Sequence, residues 1–165
     1  MTKNLWGSLL AIVSAGALSA CGGDSSTDPE PTEDPLFPAD FASSYTMVAD
    51  ARTSVPHPTC IEVFCSPGAA ADYSSGNYPL AEGTILVKTM HGDPFCSSAP
   101  TGYVAMEKLA PGSSPATGDW YWQELDGNMG VTNSNDQNNV QSCLGCHVDC
   151  SLTDDWTCVD SSTRL

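Results

Sequence analysis

Five residues near the C-terminus, Cys143-Leu144-Gly145-Cys146-His147, constrain this chain more than any other stretch of it. The segment 139–147 reads as one helix, which sets Cys143, Cys146 and His147 at i, i+3 and i+4, along one side. At that spacing two thiols reach the two vinyl groups of one haem while the neighbouring imidazole meets its iron. This is the C-x-x-C-H signature of c-type haem attachment. The implied cofactor is one covalent haem c per chain, held by Cys143 and Cys146, with His147 on the metal. Two other readings use the same residues. With Cys150 they form a four-ligand set of the types that zinc prefers. The cysteines alone would also staple a small exported domain through disulfides, with no cofactor.

The N-terminus bears on where such chemistry takes place. Lys3 supplies a positive start, and Leu5 to Ala17 is an apolar run of signal-peptide length. It is shorter than the roughly 20 residues that a membrane span needs. Leu18-Ser19-Ala20-Cys21 then resembles the lipobox of bacterial lipoproteins, in which the thiol of the cysteine takes the lipid. The expectation is a lipoprotein signal peptide over 1–20, lipidation at Cys21, and a domain exported to the periplasm or beyond while tied to a bacterial membrane. Residues 21–38 are rich in Pro, Ser, Thr and acids, with too little apolar surface to offset the entropy of ordering. They read as a flexible acidic tether, leaving 39–165 as one haem domain. A net charge of −15 argues against nucleic acid and against anionic surfaces as electrostatic partners.

Within that domain strand signals outnumber helix signals. Cys60–Cys65 is β-branched and aromatic, Gly83–Met90 is the clearest strand, and Tyr103–Leu109 and Asp119–Leu125 follow, the last closed by an Asp126-Gly127 turn. Ser66-Pro67 opens a short helix that ends near Tyr73. The fold class is therefore mainly β (α+β): a small antiparallel sheet with a few short helices around one haem. Of the eight cysteines, setting aside Cys21, Cys143 and Cys146 leaves Cys60, Cys65, Cys96, Cys150 and Cys158. That number is odd, so at least one thiol stays free or pairs between molecules. Cys60 and Cys65 point to opposite faces of a regular strand and should not pair with each other. Cys150–Cys158 is a candidate local disulfide. Lys88 alternates with Leu86 and Met90, so its stem lies among apolar groups, whether near the haem or as a surface lysine running along the sheet. Trp120, Tyr121 and Trp122 read as core and sheet packing, and His57 and His91 as surface-loop residues. Either histidine, or Met90 or Met106, is a candidate sixth iron ligand.

Gly83-Thr84-Ile85-Leu86-Val87-Lys88, Gly118-Asp119-Trp120-Tyr121, the C-x-x-C-H at Cys143 and Asp155-Trp156 occur in that order. Together they resemble the cytochrome P-460 / cytochrome c′-beta family over about Cys60 to Cys158. The resemblance implies an antiparallel sheet around one haem, with His147 proximal and the distal side open to nitric oxide or hydroxylamine. It places Lys88 where the P-460 branch has a lysine cross-linked to the porphyrin, and Glu107 near the distal carboxylate that accepts protons in hydroxylamine oxidation. Arg52, the only upstream arginine, does not fit the place of the distal arginine of some members. The resemblance also implies a homodimer, while the residues name no redox partner protein. Two rival functions stand beside it: a low-spin electron carrier with Met or His as sixth ligand, and a cofactor-free lipoprotein stapled by zinc or disulfides.

Overall fold

Alternating apolar and polar residues along six segments produce six strands. In the structure, a computed structural model that describes residues 33–53, 60–135, 140–151, 153–158 and 165, they form one sheet. The strands are β1 (Thr46–Thr53), β2 (Cys60–Cys65), β3 (Ile85–His91), β4 (Pro100–Lys108), β5 (Trp120–Asp126) and β6 (Val131–Ser134). Their spatial order is their chain order, and every neighbouring pair is antiparallel. Helix α1 (Phe41–Ser44) precedes β1, α2 (Ala70–Ser75) lies between β2 and β3, and α3 (Gln141–His147) follows β6. This is the mainly β architecture that the sequence predicts. The signal segment, Cys21, most of the tether and His57 lie outside the described residues.

Directly opposed residues of an antiparallel ladder point to the same side, so the register sorts the sheet into two faces. One transverse row runs Ala49, Val63, Lys88, Val104, Glu124, Asn133 across all six strands. A parallel row on the same face runs Cys65, Leu86, Met106, Trp122. Leu86, Met106, Trp120 and Trp122 build the core of this face, and Tyr73, Leu80 and Val140 cover it. Cys143, Leu144 and Trp156 pack against the same cluster.

The other face carries Phe64, Val87, Ala105 and Leu125, covered by Phe37 and Phe41. The chain just before α1 forms a strap there. Gln123, with no exposed surface, donates to Glu33 at 2.9 Å and to the Asp34 carbonyl at 3.0 Å, and accepts from the Leu36 N–H at 2.9 Å. Glu33, Asp34 and Leu36, within the stretch that reads as tether, are thus held to the sheet. The apolar pair Leu36-Phe37 and a buried amide partner outweigh the tether-like composition around them.

Two disulfides brace the fold, Cys60–Cys96 and Cys150–Cys158. The second is the local bridge expected from spacing, and Cys60 and Cys65 indeed do not pair. Cys65 is the odd thiol, buried and pushed up to about 12 by that burial.

Candidate functional site

Helix α3 presents the C-x-x-C-H motif to the Trp120/Trp122 side of the sheet. Its seven residues contain Cys143 and His147 one turn apart, both turned inward to different degrees, while Cys146 is exposed. Among the described residues, Cys65, Cys143 and Cys146 are the thiols that remain free. The fourth member of the proposed zinc set is spent, because Cys150 is bonded to Cys158. No described group of three or more His, Cys, Asp or Glu could hold a metal ion by itself.

His147 is buried and its ring meets Trp122 edge to face, with centroids 4.7 Å apart. Its Nδ1 faces the Trp156 carbonyl at 2.5 Å. A carbonyl only accepts, so Nδ1 carries the proton and Nε2 is the basic nitrogen of the neutral ring. That is the tautomer and orientation of a metal-binding histidine whose second nitrogen is held by a backbone carbonyl. The buried Trp122 indole N–H has no hydrogen-bond partner. An orphaned donor beside an oriented imidazole and two reduced thiols is a surrounding that a covalently tethered haem fits.

Lys88 lies on the same face, as its alternation with Leu86 and Met90 predicts. Burial drives its ammonium down to about 8; the Arg52 charge pushes the same way, and the Cys143 thiol opposes them. Arg52 opposes Ile61 in the register, on the Lys88 side, close enough to act on that amine.

Glu107 is not brought to this site. It opposes Ile85 and Tyr121, on the strap side of the sheet. Successive side chains of a strand alternate between faces, so Glu107 points away from the Lys88 side on which the expectation put it. Glu124 is a carboxylate on the Lys88 face, and it accepts from the Asn133 amide at 3.1 Å and from the Cys143 thiol at 3.7 Å. Burial raises the Cys143 thiol, with Glu124 contributing. Lys88 and Glu124 sit two strands apart in one row, about 10 Å between backbones at the usual strand spacing. The sequence signal for Glu124 was its alternation with Trp120 and Trp122.

His91 is likewise not a loop residue. It ends β3 buried, on the strap side, donating from Nδ1 to the Ser98 carbonyl at 2.8 Å. Its Nε2 lies 2.9 Å from the Thr89 hydroxyl and 3.5 Å from Glu62. Met90 and Met106 do lie on the Lys88 face.

Residues 38–157, well over half the chain, match the family described as Cytochrome P460. The chain belongs to the cytochrome P460 family. Family membership makes this a haem-binding cytochrome. No curated protein matches the chain.

Proposed function

We propose that this cytochrome P460 is an exported, lipid-anchored protein whose single haem c binds or processes small nitrogen species, nitric oxide or hydroxylamine. One convergence carries the reading. The motif cysteines, the oriented His147, the desolvated Lys88 and the carboxylate of Glu124 all serve one face of the sheet. Haem, when bound, supplies an iron that changes oxidation state and accepts a small nitrogen ligand. Cys143 and Cys146 would hold it through thioethers and His147 through Nε2.

The remaining chemistry belongs to the chain. With its proton affinity near 8, Lys88 is mostly a cation at pH 7 with about a tenth present as amine. It can donate a hydrogen bond to a polar ligand or act as a nucleophile. Glu124 replaces Glu107 as the candidate proton acceptor, since an oxidation of hydroxylamine must release protons to some base. Anchoring at Cys21, and a location outside the cytoplasm, rest on the lipobox-like Leu18-Ser19-Ala20-Cys21.

The test is an optical spectrum of the purified holo-protein, ferric and ferrous, with and without nitric oxide, beside haem staining after denaturing electrophoresis. Expected are a stained band that Cys143→Ala/Cys146→Ala abolishes, and a high-spin spectrum that shifts with nitric oxide. A low-spin spectrum indifferent to nitric oxide would replace this reading with an electron carrier, for which Met90 and Met106 stand on the correct face. Undiminished staining in the double variant would remove the covalent haem.

A further inference from the structure

We infer that Lys108 and Asp155 are positioning residues for His147, acting through the Trp156 carbonyl. The inference rests on the haem reading above.

The carbonyl that orients His147 belongs to a loop with an unusual backbone. Asp155 and Trp156 have φ of +48° and +67°, the left-handed region that side-chain-bearing residues rarely enter. Successive residues persist there only where the surroundings over-determine them, and such places cluster at functional sites. Here three restraints act together. The Cys150–Cys158 disulfide closes the loop. The Asp155 carboxylate accepts from Lys108 Nζ at 2.6 Å and from the Leu80 N–H at 2.9 Å, while its backbone carbonyl accepts from the Trp120 indole at 2.8 Å. The Trp156 ring lies over Gly118, where an added Cβ would come within 2.2 Å of its Nε1.

Lys108 is fixed in turn. It donates to the Gly118 carbonyl at 2.9 Å and stands 4.8 Å from the Trp120 ring centroid. Both partners of the ion pair are only 9% exposed. Buried ion pairs contribute little net stability compared with well-packed apolar residues, so stability alone does not explain a pair at this position. Geometry does. The pair fixes Asp155, Asp155 fixes the carbonyl of its neighbour, and that carbonyl fixes the tautomer and plane of His147 and raises the basicity of Nε2.

The experiment is resonance Raman spectroscopy of the ferrous holo-protein, read at the iron–histidine stretch, with circular dichroism to establish folding. Asp155→Ala is expected to keep its covalent haem but to show a lower and broader band, because the ring loses its fixed acceptor. Asp155→Asn, which retains a group to accept from Leu80, should fall between. Gly118→Ala, which adds a Cβ against the Trp156 ring at a backbone φ of +67°, disturbs the loop without removing either charge and should shift the band in the same direction. A folded Asp155→Ala with a wild-type band overturns the proposal. Should that variant not fold, wild-type bands in both Asp155→Asn and Gly118→Ala overturn it equally. Absence of covalent haem from the wild-type protein defeats the haem reading itself, whereas attached haem with an unmoved band defeats only this inference.

Discussion

Replacing Lys88 by Met should make the haem-free chain more stable, because the fold holds this cation at a loss. Its proton affinity falls from 10.5 to about 8 in the folded protein, chiefly through burial and secondarily through Arg52. At about 1.4 kcal/mol for each pH unit, that depression amounts to at most roughly 3 to 4 kcal/mol. The sign follows from proton binding. Between pH 8 and 10.5 the unfolded chain binds more protons at this site than the folded one, so wild-type stability rises with pH across that window. Below pH 8 the destabilisation is complete. Methionine keeps an apolar stem of similar length and never charges. Urea unfolding followed by tryptophan fluorescence, on chain produced without haem, should find Lys88→Met ahead by about 1 to 3 kcal/mol at pH 7. The gap should close progressively as pH approaches 10.5. A variant no more stable than wild type at pH 7, or a gap that ignores pH, would refute the claim that Lys88 is a desolvated cation.

Two further outcomes are expected. Glu124→Gln should slow hydroxylamine turnover at least about tenfold, the lower end for a positioned proton acceptor, while Glu107→Gln on the opposite face leaves it unchanged; steady-state rates of the two variants decide. Cys21→Ala should release the protein from the membrane fraction or stall its processing, and a wild-type mature protein with no lipid mass on Cys21 would defeat the anchor.

Much of this was legible before any coordinates, and the reasons differ by residue. Lys88 was placed on its face correctly because strand alternation is strict and Leu86 and Met90 flank it. Glu107 was placed by the resemblance rather than by alternation, and alternation in β4 puts it on the opposite face. Glu124 sits in the Trp120–Leu125 segment, where the aromatic residues signal packing so strongly that a carboxylate among them drew no attention. The burial of His91 is not legible locally, because the Ser98 carbonyl and Glu62 that make it tolerable come from a loop and another strand. The Lys108–Asp155 pair joins residues 47 apart, a separation no local pattern reveals. Cysteine arithmetic did better. It required an odd thiol, and only the fold could name it as Cys65.

The two unlike faces of the sheet have a consequence for how such a chain can change its length. An insertion of one residue inside β3 ahead of Lys88 would send its amine towards Phe37 and Phe41 and turn Val87 towards the haem motif. A single deletion in β5 would exchange Glu124 for Leu125 or Gln123. Within these strands only even changes preserve the chemistry of each side, and even those shift the register against both neighbours. Descendants of this sequence are therefore free to lengthen or shorten mainly in the connections between strands. In the strands, inheritance acts on a code of parity as much as on a list of residues.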